Sequence, residues 1–171
     1  MFGQENISLF LECLNHLQHE YPVRSMRAYP QHIGGVSCYD HCLLVSYLSF
    51  VFCKALKLDY RAAARGGLLH DLYLQDWKET NIHRFRRLFV HPHMALENAM
   101  HYKLSKKEQE IIVKHMWPLT PPKPPRYLET YIVGLADKIA TSIEMLHLYR
   151  VLGLDKKMCF ICGARCRHSV Q

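Results

Sequence analysis

Apolar residues recur along this chain at helical spacing, and no run alternates with the two-residue period of a strand. Between residues 7 and 19, Leu9, Phe10, Cys13, Leu14 and Leu17 fall on one helical face, and Tyr21-Pro22 closes the segment. Pro22, Pro30, Gly34 and Gly35 then mark a loop. Ser37 stands as N-cap of a second helix with the buried stripe Leu44, Val45, Leu48, Val51, Phe52 and Ala55. A third helix is expected over residues 60–74, where Ala63, Gly66 and Gly67 let a neighbouring helix come close. Residues 75–90 are polar and basic and read as a loop or short helix, and Pro92 suits the first turn of a fourth helix reaching to about residue 102. Ser105-Lys106-Lys107-Glu108 spells a capping box for a fifth, ending at Trp117-Pro118. Prolines 118, 121, 122, 124 and 125 predict an extended linker. A last helix is expected over residues 126–152, stopped by Gly153. The pattern predicts an all-α bundle of about six helices in one domain over residues 1–155. A basic, Cys-rich tail over residues 156–171 is expected to follow it.

With 171 residues, 49% apolar and 22% charged, the chain is long and apolar enough for one core and is not a disordered sequence. A net charge of +7 favours anionic partners: phosphorylated small molecules, nucleic acid or an acidic surface. No helix interleaves basic and aromatic residues on one face, so nucleic acid ranks last. The longest apolar stretch, residues 42–53, is broken by Ser46 and Ser49 and falls short of the ~20 residues of a membrane span. No membrane partner is expected. The first residues lack the basic and apolar regions of a signal peptide, and Cys13, Cys38, Cys42 and Cys53 sit singly among apolar neighbours as buried free thiols. Both features point to the cytoplasm. Twelve histidines change the picture, because histidine is the commonest metal ligand.

Several of these polar residues sit on apolar faces. His41 shares a stripe with Leu44 and Val45, His115 follows Ile111 and Ile112, and Asp137 lies with Val133, Ala136 and Ala140. His70-Asp71 ends the run Ala-Arg-Gly-Gly-Leu-Leu. A buried carboxylate is costly unless paired or bound to a metal, and converging on one cation offsets that cost for all of them.

The succession His41, His70-Asp71, Asp137 resembles the HD-domain superfamily of metal-dependent phosphohydrolases, over roughly residues 37–144. In that family a His opens a long helix, a His-Asp pair closes the next after small residues ending Leu-Leu, and a late Asp lies in an apolar helix. Here Lys138 follows that Asp. His91 and His115 are similar to the extra ligands of dinuclear members. The resemblance implies an HD-type helical bundle in which one metal takes His41, His70, Asp71 and Asp137. A second would take Asp71 as a bridge with His91 and His115. Four imidazoles and two carboxylates suit Fe, Mn, Co or Zn better than Mg or Ca. Two divalent cations against two carboxylates and a bridging hydroxide leave about one positive charge, which suits a phosphate ester. The implied activity is hydrolysis of a phosphate ester or anhydride, of a nucleotide, with a metal-bound hydroxide as nucleophile. A nucleotide-sensing module of the same fold without turnover is the alternative. No Gly-Tyr-Pro is present, Met116 rather than a second His follows His115, and Leu72 rather than Gly follows Asp71. Cyclic-di-GMP hydrolysis is therefore not implied, and the likeness is to small bacterial HD hydrolases.

Arg65 and Lys138, next to the ligands, fit either contact with phosphate or with a ligand carboxylate, or structural ion pairs. With Asp71 they make the candidate catalytic set. Arg84, Arg86 and Arg87 read as a solvated basic loop rather than a steering patch. Asp76 reads as a helix-end carboxylate rather than a general acid, and His32 as a loop residue. His93 and His101 read as surface residues, and Glu144 as the partner of a basic residue. Cys159, Cys162, Cys166 and His168 are a Cys-x2-Cys set crowded into ten residues, closer to a basic tail than to a zinc ribbon.

Overall fold

A long helix that is apolar on every side belongs at the centre of a bundle, and here that helix is α3. The computed structural model describes residues 2–31, 35–74, 83–120 and 123–163, without the side chains of residues 84, 85 and 162. Within them the chain is all-α, with nine α-helices and no strand beyond one isolated bridge between Pro30 and Ser37. Helix α1 (Gln4–Leu14) and the short α2 (Tyr21–Ser25) precede α3 (Cys38–Ala55). Then come α4 (Tyr60–Leu69), α5 (Arg84–Ala99), α6 (Lys106–Lys114) and α7 (Leu128–Met145). Two shorter helices, α8 (Leu148–Val151) and α9 (Leu154–Cys162), end the described chain. Ser37 caps α3 by accepting from the Asp40 amide, and α4 and α7 pack against it.

Helix α4 lies between α3 and α6 because two glycines thin it. A Cβ on Gly66 would lie 2.6 Å from Ile111 of α6, and one on Gly67 3.0 Å from the Ser46 backbone of α3. That close approach brings the C-terminal ends of α4 and α6 together, each ending on a histidine: His70 and His115 are the C-caps. The capping box Ser105/Glu108 is formed at the start of α6.

Four expectations change. Helix α5 starts at Arg84, so Pro92 lies inside it rather than in its first turn. Proline removes one backbone donor, and packing of α5 on α6 carries the helix through that loss. The single last helix expected over residues 126–152 is two, α7 and α8, broken at His147 (φ 56) in a left-handed conformation; Gly153 (φ +62) stops α8 as expected, and α9 follows it. The breaks turn α9 back onto α3, where Leu154, Met158 and Ile161 are buried. The chain thus stays in the core past residue 155, where a tail was expected. The short α2 lies in the stretch read as loop, with Pro22 in its first turn. These differences raise the count from about six helices to nine. Of the proline-rich stretch, residues 121 and 122 lie outside the described residues, and Pro125 is buried. The four apolar-set cysteines are buried free thiols. No helix among the described residues is long and apolar enough to cross a membrane.

Candidate metal centre

Six side chains from five helices meet between α3, α4 and α7. His41 comes from the first turns of α3, His70 and Asp71 from the end of α4, and His91 from α5. His115 comes from the end of α6 and Asp137 from the middle of α7. His41, His70, Asp71, His115 and Asp137 are all buried, the most open of them being Asp137 at 7%. Their donor atoms fall into two groups: His41, His70 and Asp71, then Asp71, His91 and His115. In each group the atoms lie within 4.8 Å of one another. Asp71 belongs to both. Its Oδ2 is 3.6 Å from His70 Nε2, while its Oδ1 is 3.4 Å from His91 Nε2 and 3.9 Å from His115 Nε2. Asp137 Oδ1 joins the first group, 3.2 Å from His41 Nε2 and 3.9 Å from His70 Nε2.

The other ring nitrogens decide what these atoms are. His70 Nδ1 lies 2.8 Å from Gly67 O, His91 Nδ1 2.8 Å from Arg87 O and His115 Nδ1 2.8 Å from Ile112 O. A carbonyl only accepts, so each Nδ1 carries hydrogen and donates, and each neutral ring keeps its lone pair on Nε2. His91 Nε2 and His115 Nε2 are nevertheless only 3.2 Å apart. Two lone pairs at that distance beside a carboxylate call for a cation between them. His70 Nε2 and Asp71 Oδ1 are buried with no hydrogen-bond partner among the described residues. Orphaned acceptors of this kind, aimed into one space, fit a divalent metal set.

Electrostatics divide the cluster. Burial would raise the Asp71 carboxyl, but the surrounding imidazoles, His70 foremost, hold it below the carboxylate range. Burial would likewise raise Asp137, which the hydrogen bond from His41 and the nearby His70 hold well below that range. Burial, with His70 and His91 adjacent, depresses His115 to about 3, keeping it neutral and able to ligate. His41 goes the other way. Burial works against its proton, yet hydrogen bonds to Asp137 and Glu144 lift it well above the usual histidine value.

Around the six ligand candidates, other side chains fix their orientation. Glu144, 1% exposed, lies two turns beyond Asp137 and takes the His41 Nδ1 proton at 2.8 Å. Its expected basic partner is therefore a candidate ligand. Gln31 Nε2 donates to Asp71 Oδ2 at 2.6 Å, and Tyr73 OH donates to Gln31 Oε1 at 2.8 Å. Asn98 of α5 donates to Leu72 O and pins the chain just after the His-Asp pair. Gly134 lets α7 reach this level: a Cβ there would lie 2.6 Å from His115 O. Gln31 is not legible in the sequence, since a loop glutamine carries no periodic signal. Glu144 did carry one, its heptad step from Asp137.

Lys138 Nζ lies 2.6 Å from Asp137 Oδ2, with the side chain 44% exposed at the edge of the cluster. Arg65 is engaged elsewhere: Nε donates to Glu108 and Nη2 to Tyr102 O, tying α4 to the capping box of α6. His93 and His101 are both exposed, and the His101 ring lies tilted against its neighbour Tyr102. Arg86 and Arg87 lie in the first turn of α5 rather than in a loop. Cys159 takes part in a disulfide. His32, Asp76, Cys166, His168 and the side chains of Arg84 and Cys162 lie outside the described residues. No protein-family model, no curated protein and no solved structure matches this chain.

Proposed function

We propose that the chain is a metal-dependent phosphohydrolase of the HD type, acting on a phosphate ester or anhydride of a nucleotide. The observation that carries the reading is the shared carboxylate: Asp71 presents Oδ2 to one His group and Oδ1 to a second. Such a bridge suits two divalent ions side by side. His41, His70, Asp71 and Asp137 would hold one; Asp71, His91 and His115 would hold the other. Iron, manganese, cobalt or zinc match the four imidazoles. Bound there, such metals supply Lewis acidity, lowering the pKa of a water and stabilising charge on phosphoryl oxygens.

The chain's own residues do the rest. Asp71 stays ionised and, with Gln31 on its Oδ2, keeps a fixed orientation between the two groups. Lys138, half exposed beside Asp137, is the cation placed to meet a phosphoryl oxygen entering from solvent. Burial of His41, His70 and His115 keeps bulk water from those three rings. Arg65 has a structural part in this scheme.

The test is metal content of the full chain purified without chelator, beside Asp71→Ala. The full chain is required because α9 contributes Met158 and Ile161 to the core. Two transition-metal ions lost in Asp71→Ala, together with loss of phosphomonoester and phosphodiester hydrolysis, support the proposal. Equal metal content in both proteins refutes it. Metal uptake without turnover of any phosphate ester assigns the fold to nucleotide sensing instead.

A further inference from the structure

Beside the cluster, between the end of α6 and the first half of α7, lies a cleft of about 230 Å³. Its walls include Lys114, Trp117, Pro118, Tyr131, Leu135 and Lys138. The Trp117 and Tyr131 rings stand 5.3 Å apart at 77°, so they form a corner. A flat ring lying on one face meets the edge of the other, the two arrangements aromatic pairs prefer. The corner is held in place, since Tyr131 OH donates to Pro125 O at 3.2 Å. No acidic side chain lines the cleft among the described residues, while two lysines do. Lys138 ties the cleft to the cluster, because the same side chain lines it and sits 2.6 Å from Asp137 Oδ2. Gly134, also in the lining, backs onto His115 O.

The volume is below the 300–1,000 Å³ of sites for drug-sized ligands, so it holds one ring system rather than a whole dinucleotide. An aromatic corner at one end and a lysine next to a ligand carboxylate at the other match a molecule with a flat heterocycle and a phosphate. We infer that this cleft is the base-binding subsite of the substrate, with Trp117 and Tyr131 stacking the base and Lys138 meeting its phosphate. The inference rests on the phosphohydrolase reading, and it adds that the substrate carries an aromatic base within a sugar's length of the phosphate cleaved.

The chain has two tryptophans, Trp77 and Trp117, so Trp77→Phe makes Trp117 the sole reporter. The full-length Trp77→Phe protein is titrated with adenosine 5′-monophosphate, ribose 5-phosphate and inorganic phosphate while its fluorescence is followed. The adenine nucleotide is expected to change the emission saturably and to bind roughly ten-fold or more tightly than ribose 5-phosphate, the scale of one base–aromatic stack. Adding Tyr131→Leu is expected to weaken the nucleotide roughly ten-fold more than it weakens inorganic phosphate. Tyr131 is 37% exposed, so the variant folds, as far-ultraviolet circular dichroism checks. Equal affinity for the nucleotide and ribose 5-phosphate overturns the subsite, as does a Tyr131→Leu protein that loses both phosphates alike. If ribose 5-phosphate is hydrolysed while the nucleotide gains nothing from its base, the subsite fails and the metal chemistry stands. If no phosphate ester is bound or hydrolysed, both fail.

Discussion

Glu144 is the residue on which the candidate centre can be tested without touching a ligand. Its carboxylate is 1% exposed and takes the Nδ1 proton of His41, itself wholly buried, at 2.8 Å. Glu144→Gln keeps the shape and an acceptor oxygen but removes the charge. A hydrogen bond to a charged group contributes about 1.5–3 kcal/mol and a neutral one about 0.5–1.5. The substitution should therefore cost about 1–1.5 kcal/mol in metal-free protein. For a chain of this length that lowers Tm by about 2–6 °C. The sign with pH follows from His41. Its proton is held more tightly in the folded state, so its contribution is full below pH 6.5 and fades as pH rises through the raised folded value. The Tm deficit of Glu144→Gln should shrink over that same rise. Metal binding reads a second consequence. Carboxylates behind ligating histidines set ring orientation and basicity, and their loss typically weakens metal binding about 10–100-fold. The assay pairs thermal melts of chelated protein across pH with Mn(II) titration followed by electron paramagnetic resonance. A variant with wild-type Tm at pH 6 and wild-type Mn(II) affinity would show that Glu144 does not orient His41, and the reasoning would be wrong.

Three further perturbations reach other parts of the same frame. Gly134→Ala puts a Cβ 2.6 Å from His115 O; the forced shift of α7 should cost about 1–3 kcal/mol and weaken metal uptake, and an unchanged urea midpoint would refute the close approach. Gln31→Leu removes the donor to Asp71 Oδ2 and the Oε1 that accepts from Tyr73 OH; a loss of about 1.5–3 kcal/mol is expected by chemical denaturation, and none if the contact is incidental. Lys107→Met strips Glu129, 7% exposed at the side chain, of its cation. Burial would raise Glu129, but Lys107 and backbone donors lower it. Its contribution is thus present above pH 4.5 and lost as pH falls through the lowered value. With Lys107 itself 24% exposed, the variant should lose about 1–3 kcal/mol and show a flatter acid-unfolding profile, whereas a profile parallel to wild type would sink this assignment.

Short-range signals carried furthest into the structure. Ser37 and the Ser105/Glu108 box cap the helices they announce, because a cap is a contact within four residues and needs no tertiary information. The core-facing positions of His41, His115 and Asp137 were legible in the same way, from helical spacing alone. Pro92 misled because its fixed φ suits a first turn as well as an interior turn, and only packing against α6 chooses between them. The break at His147 had no composition signal, since the apolar repeat runs on through it; what bends the chain is the burial of Leu154, Met158 and Ile161 on α3. Gln31 reaches its partner across 40 residues of sequence, and nothing local to a loop residue records that.

The histidines show how a local rule and a long-range site reinforce each other. The last four carbonyls of any helix lack an intrahelical donor. His70 and His115 are each the C-cap of their helix, and each donates Nδ1–H to the carbonyl three residues back, Gly67 O and Ile112 O. One hydrogen bond thereby satisfies an orphan carbonyl, fixes the tautomer and turns the Nε2 lone pair away from the helix end. His91 reaches the same state inside a helix through Arg87 O, and His41 reaches it through the buried carboxylate of Glu144. At His41 that acceptor is a carboxylate rather than a carbonyl, and its proton affinity is raised. In metal-free protein, then, a metal must displace a proton from His41, while the neutral His115 is already prepared to ligate. His41 of the first group should therefore make metal uptake strengthen as pH rises, which Mn(II) titration of wild type across pH checks.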